Sequence, residues 1–192
     1  MDGLRIGFAL SGSFCTFDKI LDEIQSLVDN KAEVTPILSF NASAVDTRFG
    51  TAAKLREKLI EITGKQPLDS LVLVEPIGPK GLLDILVVAP CTGSTLGRLA
   101  CGISDTPVTL AVKSHLRCLR PVVLAVSTND ALRASMRNIS LLKNQKNIYM
   151  VPMIQDDPIK KPNSLIADFS LLKKTICCAL EGTQIQPFFI RN

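Results

Sequence analysis

The sequence predicts a Rossmann-like, three-layer α/β/α fold around a mostly parallel, six-stranded sheet. Short apolar runs alternate with longer segments that place apolar residues at helical spacing, the order expected of repeated strand–helix units. Several runs, such as residues 85–90, are apolar throughout, which is typical of strands buried on both faces. Small polar residues follow four of the predicted strands, at the sheet edge where α/β folds bind ligands.

The chain begins with a predicted strand at residues 4–10 and a helix that runs to residue 29. Ser11, Gly12 and Ser13 lie in the turn between them. The free N–H groups and the dipole of a helix start favour a bound anion, so the turn is a candidate phosphate site. The alternative is that these residues serve only the geometry of the turn, since glycine adopts backbone angles that other residues avoid.

Five further strands and their helices follow along the chain. The strands are predicted at residues 33–39, 70–75, 84–90, 120–127 and 147–153. The helices are predicted at residues 51–64 (with Gly64 as the C-terminal cap), 92–103, 106–116, 129–144 and 164–180. We expect one domain over residues 1–192, in which residues 183–192 form a C-terminal tail with an apolar patch at Phe188, Phe189 and Ile190.

Composition excludes several functional classes. The net charge of +4 is spread along the chain, and with no Trp and one Tyr there is little material for stacking on nucleic-acid bases. No run of 18 apolar residues predicts a membrane span, and no signal-peptide pattern is visible, so we expect a cytoplasmic protein. Six cysteines without a C-x-x-C pair, and a single histidine, argue against a zinc site and for reduced core thiols.

The polar strand ends are expected to meet at one ligand-binding crevice. They lie at residues 11–13, 39–41, 90–95 and 127–130. The first turn lacks a G-x-G-x-x-G pattern, and no acidic residue closes the second strand to hold a ribose. These two departures argue against a dinucleotide and for a ligand with one phosphate.

Three hydroxyl residues surround Gly93 where the fourth predicted strand gives way to a helix. Thr92, Ser94 and Thr95 suit the sugar-like chain and polar ring edge of a cofactor. The alternative is a helix N-cap, which needs only one such residue. Residues 127–130 are explained more simply by a cap than by a site.

The sequence leaves open the roles of three single residues. Cys91 lies at the predicted rim, where a packed, inert thiol is favoured over a reactive one. His115 is favoured for packing or surface exposure over catalysis, because no carboxylate lies near it in sequence. Arg48 could grip a ligand carboxylate or pair with Asp46.

The chain resembles the flavoprotein family of homo-oligomeric flavin-containing Cys decarboxylases. The resemblance rests on the turn at residues 11–13, on residues 89–95 and on residues 127–130. The family motif P-x-T-x-N-T matches Pro90, Thr92 and Thr95, with Ser94 in place of its Asn. The histidine that family decarboxylases carry after the third strand is missing, and of a second motif, P-x-M-N-x-x-M, only Asn129 is kept.

This resemblance implies FMN bound between subunits, with peptidyl-cysteine decarboxylation disfavoured. The phosphate would be held by Ser11, Gly12, Ser13 and Ser39. The remaining cofactor contacts would come from Phe14, Asn41, Pro90, Cys91, Thr92, Gly93, Ser94, Thr95, Ser127, Thr128 and Asn129.

A narrower resemblance within the family implies the oxidation that completes pyridine-2,6-dicarboxylate in a sporulating cell. It implies a homo-oligomer (a trimer or dodecamer) and a second protein, the A subunit of the same enzyme, through which NAD(P) could take part. Arg48, Lys160 and Lys161 are candidates for binding the dicarboxylate substrate. Two alternatives remain: another FMN-site enzyme, such as a decarboxylase or flavin prenyltransferase, or a non-catalytic scaffold that activates the A subunit.

Overall fold

A seven-stranded sheet forms the centre of the protein in the computed structural model, which describes residues 1–190. The strands run in the order β2-β1-β3-β4-β7-β6, and β5 pairs with β4 beside β7. Strands β2, β1, β3, β4 and β5 are parallel, whereas β7 is antiparallel to β4 and β6. The strands are β1 (Arg5–Leu10), β2 (Glu33–Leu38), β3 (Ile85–Cys91), β4 (Val122–Thr128), β5 (Ile148–Met150), β6 (Met153–Ile154) and β7 (Leu165–Ala167).

Helices cover both faces of the sheet, so the predicted three-layer, Rossmann-like fold is confirmed. The helices are α1 (Phe17–Asp29), α2 (Phe40–Ala44), α3 (Ala52–Thr63), α4 (Leu71–Val74), α5 (Gly93–Ala100), α6 (Pro107–Leu116), α7 (Ala134–Lys143) and α8 (Leu172–Leu180). Helices α1, α3 and α8 pack on one face, and α4, α5, α6 and α7 contribute to the core on the other. None of the helices within residues 1–190 has both the length and the hydrophobicity that a membrane crossing requires.

The central strands are buried on both faces, as their continuous apolar runs predict. In β3, Ile85 and Val87 belong to the core under α1, α3 and α8. Leu86 and Val88, which alternate with them, belong to the core on the opposite face. Since side chains alternate along a strand, an unbroken apolar run is what a sheet with two covered faces needs.

The prediction of a strand at residues 70–75 is wrong. This segment forms helix α4 and then a 3-10 turn at Glu75–Ile77. The Ser70 hydroxyl accepts a hydrogen bond from the Leu73 N–H (3.3 Å) and so starts the helix. Strand β3, not this segment, pairs with β1. In addition, Pro76 has no backbone N–H with which to donate a hydrogen bond to a neighbouring strand.

Two boundaries near the C-terminus also differ from prediction. The strand expected at residues 147–153 is interrupted before Pro152 and gives the separate strands β5 and β6. The helix expected at residues 164–180 is a strand in its first part, β7, and becomes helix α8 only at Leu172. Asp168 separates the two, because its carboxylate accepts a hydrogen bond from the Ser170 N–H (3.1 Å) and caps a short 3-10 turn.

The expectation of core cysteines holds only for Cys91. Its side chain is fully buried, and burial raises the pKa of its thiol. Four others are exposed on helices or loops: Cys15, Cys101, Cys118 and Cys177. All six are free thiols.

His115 of helix α6 takes the packing role favoured above. Its side chain is fully buried, and neither ring nitrogen makes a hydrogen bond of good geometry within residues 1–190. A weaker interaction with the Pro121 backbone favours the charged form but does not offset the effect of burial on the pKa. Burial, reinforced by the positive charge of Arg120, lowers the pKa of His115 to about 4. The folded protein therefore holds this imidazole neutral at pH 7.

The low pKa of His115 makes stability depend on pH. Because the folded value of about 4 lies below the ordinary 6.5, the unfolded chain binds the proton more readily. The stabilisation is present above pH 6.5 and is lost as pH falls towards 4. We expect the His115 contribution to the free energy of unfolding to drop by about 2 kcal/mol between pH 8 and pH 5.

Urea unfolding of the wild type and of His115→Leu at pH 5, 6, 7 and 8 measures this effect. Since His115 is the only histidine, the difference between the two pH profiles isolates it from the carboxylates. The variant should gain stability relative to the wild type as pH falls. Parallel profiles would contradict the account of a neutral, buried imidazole.

Candidate functional site

The ends of strands β1, β3 and β4 open into one groove of about 920 Å³. A volume of this size lies within the range of about 300–1,000 Å³ that is common for ligand clefts. Of the predicted site residues, the groove is lined by Gly12, Ser13, Phe14, Thr92, Gly93, Ser94, Ser127, Thr128, Asn129 and Lys161. The structure therefore brings together three of the four predicted polar strand ends.

The turn after β1 is fastened to the end of β3 by Ser11. The Ser11 side chain is buried; its hydroxyl donates to the Pro90 carbonyl (2.7 Å) and accepts from the Thr92 N–H (3.0 Å). With both functions used, this hydroxyl holds two loops in place. We therefore expect Ser11 to position the phosphate site, whereas the sequence predicted a direct contact.

Ser13 presents its side chain to the groove. Its hydroxyl forms a hydrogen bond with the Ser127 hydroxyl (2.9 Å) at the end of β4. Ser13 precedes the 3-10 turn at Phe14–Thr16 that leads into α1, yet its side chain makes no capping hydrogen bond. The N–H groups at a helix start lack intrahelical partners, so this turn keeps donors for an anion.

The start of helix α5 forms the groove wall opposite this turn. Thr92 caps the helix, because its hydroxyl accepts a hydrogen bond from the Thr95 N–H (3.3 Å). The Thr95 hydroxyl bonds to Thr92 (3.0 Å) and is buried, so of the three predicted hydroxyls only that of Ser94 is exposed. The sequence argument, that a cap needs one hydroxyl and leaves the others available to a cofactor, is therefore wrong for Thr95.

Gly93 lets helix α5 approach the loop after β4. A Cβ atom at this position would lie 2.7 Å from the Thr128 Oγ1 and 3.1 Å from the Asp130 Oδ1. The first distance is shorter than a Cβ tolerates and the second is tight, so a side chain here would push the Thr128 hydroxyl and the Asp130 carboxylate out of their positions. The Asp130 carboxylate thereby lies beside the N-terminus of α5, where the helix dipole favours a negative charge.

Asp130 is a fixed anion in the groove wall. Hydrogen bonds from the Thr128 hydroxyl (2.6 Å) and the Ser135 hydroxyl (2.8 Å) lower the pKa of its carboxyl. Asn138, one turn further along α7, has a buried side-chain oxygen with no partner among the described residues. This end of the groove presents hydrogen-bond acceptors.

The cationic residues predicted for a substrate are not gathered in the groove. Lys161 lines it, but its ammonium pairs with the Asp156 carboxylate (3.0 Å). Burial raises the pKa of Asp156, yet hydrogen bonds from Ser164 and Lys161 outweigh this and leave it below its usual value. Arg48 lies outside the groove and stacks on the Phe49 ring, 4.8 Å from its centroid, and Lys160 is exposed elsewhere on the same loop as Lys161.

Other predicted contacts lie beside or beneath the groove. Ser39 caps helix α2 by accepting a hydrogen bond from the Ala42 N–H (3.2 Å). Asn41 is exposed next to Gly12, whose added Cβ would lie 3.5 Å from the Asn41 Cβ. Pro90 and Cys91 are buried under the groove, so the Cys91 thiol does not face a ligand.

Sequence reasoning missed a second set of groove residues. They are Cys15, Thr16, Phe49, Asp130, Ala134, Ser135, Asn138, Asp156, Ser164, Leu165 and Ile166. One signal was available: Ser135 and Asn138 are three residues apart in a predicted helix, and so share a face next to Asp130. The residues of β7 gave none, because that segment was predicted to be helical.

Comparisons with known proteins agree with this fold. The flavoprotein family model matches residues 1–173. The B subunit of dipicolinate synthase from Bacillus subtilis (strain 168) is 45% identical over 192 residues, which cover 100% of this chain and 96% of that protein. The crystal structure of the dipicolinate synthase B subunit from Bacillus halodurans C has a TM-score of 0.91 at 42% identity, covering 100% of this chain and 98% of that chain.

A more distant solved structure shares the fold. Burkholderia xenovorans DmrB, crystallised in complex with FMN, has a TM-score of 0.69 at 19% identity. The match covers 93% of this chain and 96% of that chain.

Proposed function

The chain belongs to the flavoprotein family, and from this premise we propose that it is the FMN-binding B subunit of a dipicolinate synthase. The single observation that carries the proposal is the groove at the ends of β1, β3 and β4, in a chain 45% identical to a protein of that name. We propose that it works with the A subunit of dipicolinate synthase in the cytoplasm of the mother cell of a sporulating bacterium, as a homo-oligomer.

The residues of the groove fit FMN. The Ser13 hydroxyl, which is not spent on capping, and the N–H groups of Gly12 and Phe14 offer donors to a phosphate. The N–H groups of Ser11 and Ser13 are already used, since they donate to the Pro90 and Ser11 carbonyls. The hydroxyls of Ser94 and Ser127 offer partners for a ribityl chain between the two walls. Because the Asp130 carboxylate already lies at the start of α5, the phosphate belongs at the Ser13 end.

The proposed reaction converts a dihydro- or hydroxytetrahydro-dipicolinate precursor into aromatic dipicolinate. A hydroxytetrahydro precursor would first lose water to give the dihydro form, which then loses a hydride to an acceptor and a proton to a base or to solvent. FMN, when bound, would supply that acceptor, and NAD(P) on the A subunit could receive the electrons in turn. The chain's own residues would bind the phosphate at the Ser13 end and orient the flavin between the two walls of the groove. Of the cations predicted for the substrate carboxylates (Arg48, Lys160 and Lys161), only Lys161 lines the groove and remains a candidate within this chain.

A scaffold that activates the A subunit is the second candidate function. The observation that favours it concerns charge: Lys161 is the one basic residue among the described residues that line the groove, and Asp156 neutralises it. A dicarboxylate would therefore need cations from a second copy of the chain or from the A subunit. A decarboxylase is disfavoured, since the single histidine is buried in α6.

Reconstitution separates these functions. The A subunit is assayed for dipicolinate formation with precursor and nicotinamide, by itself and with this chain, with and without FMN. We expect formation to rise on adding the chain and to depend on FMN. A rise that is independent of FMN would support the scaffold, and a rate unchanged by the chain would overturn both functions.

A further inference from the structure

We propose that the Asp130 carboxylate accepts a hydrogen bond from the ring N3–H of the bound flavin and so fixes the direction in which the flavin lies. The inference rests on the proposed FMN site and names one contact within it. It concerns a residue that ends one of the predicted polar strand ends, residues 127–130, but is not among the predicted cofactor contacts.

The geometry of Asp130 leaves one oxygen for a ligand. Oδ1 accepts both hydroxyl hydrogen bonds, from Thr128 and from Ser135. Oδ2 accepts no hydrogen bond from another described residue, and Asp130 forms no ion pair with any lysine or arginine of residues 1–190. The carboxylate is thus held rigidly by one oxygen and offers the other to the groove that it lines.

The charge of Asp130 selects what can lie against it. A carboxylate without a cationic partner repels phosphate and carboxylate groups and attracts a hydrogen-bond donor. Of the hetero atoms on an oxidised flavin ring, only N3 carries a proton, whereas N1, N5 and both carbonyl oxygens are acceptors. The pyrimidine edge with N3–H is therefore the part of the ring that matches Oδ2.

The distance between the two ends of the groove fits this direction. Ser13 follows β1 and Asp130 follows β4, and only β3 lies between those strands. With neighbouring strands about 4.8 Å apart, the two ends are separated by about 10 Å. A ribityl chain and part of the ring span such a distance, with the phosphate at Ser13 and the pyrimidine edge at Asp130.

Methylation of the ring at N3 tests the contact. Purified chain is titrated with FMN and with N3-methyl-FMN, and binding is followed by flavin fluorescence. A hydrogen bond to a charged acceptor makes FMN bind more tightly than N3-methyl-FMN by about tenfold or more in the wild type. In Asp130→Asn the preference should fall to about threefold or less.

Asp130→Asn is a nearly isosteric change. The amide oxygen can still accept from Thr128 and Ser135, while the amide nitrogen replaces Oδ2 and turns an acceptor into a donor. Asp105→Asn is the matched control, because Asp105 is exposed, pairs with Arg98 and lies outside the groove. The control should keep the wild-type preference, and circular dichroism of each variant verifies the fold.

The outcomes distinguish this inference from the function on which it rests. Wild-type chain that binds FMN and N3-methyl-FMN equally well would overturn the Asp130 contact and leave FMN binding intact. A preference that persists in Asp130→Asn would also overturn it, since another residue would then be the acceptor. A wild-type chain that binds neither flavin would overturn both proposals.

Discussion

Ser13→Glu is expected to weaken FMN binding more than about 100-fold, because it sets a carboxylate beside the phosphate. Ser13 lines the groove at the turn that leads into α1, and its hydroxyl already faces Ser127 rather than the backbone of its own helix. A glutamate there would occupy the anion position and repel a phosphate that carries up to two negative charges. Equilibrium titration with FMN, followed by fluorescence, measures the loss.

Two controls separate charge from a general disturbance. Ser13→Ala removes one hydroxyl and should weaken FMN binding only by about three- to tenfold. Ser140→Glu adds the same charge at an exposed position of α7 outside the groove, and should bind FMN like the wild type. If Ser13→Glu binds FMN normally, the phosphate does not lie at this turn.

Gly78→Ala is expected to lower the free energy of unfolding by about 3 kcal/mol or more. Gly78 is buried where the 3-10 turn at Glu75–Ile77 packs on helix α6. A Cβ there would overlap the Ser114 carbonyl oxygen and lie 2.6 Å from the Ser114 Oγ. It would also disturb the hydrogen bond from the Gly78 N–H to that hydroxyl (3.1 Å), so the turn must move away from the helix.

Gly97→Ala is the matched control for this prediction. Gly97 lies inside α5, and its added Cβ would meet only the Asn138 Nδ2, at an ordinary contact distance of 3.5 Å. Alanine is a better helix former than glycine, so this variant should be more stable than the wild type by about 0.5–1 kcal/mol. Urea unfolding gives both values, and equal stabilities for the two variants would contradict the packing described here.

The sequence is informative about the centre of the fold and less so about its margins. Strand β3 is predictable because each of its residues must be apolar to serve two cores. Residues 71–74 are also all apolar, but Ser70 and Pro76 favour a helical turn that leaves Val72 exposed. Apolar runs of this length fit either a strand or a short helix. Which of the two forms here depends on the tertiary fold, in which β3 pairs with β1 and this segment does not.

The candidate site likewise has features that the sequence predicts and features that it does not. The convergence of Ser13, Ser94 and Ser127 follows from parallel strands, whose carboxyl ends share one edge of the sheet. The buried hydroxyl of Ser11 could not be anticipated, since its partners, Pro90 and Thr92, are about eighty residues away in sequence. Asp130 resembles an ordinary helix cap in its local sequence, and its position beside Gly93 depends on how α5 packs on the loop after β4.

The FMN site itself is tested most directly by titrating the purified wild-type chain with FMN and, in parallel, with riboflavin. We predict saturable binding of one FMN per chain, and much weaker binding of riboflavin, which lacks the phosphate. A chain that shows no saturable binding of FMN, or that binds riboflavin as tightly as FMN, would contradict a groove that recognises a single-phosphate flavin.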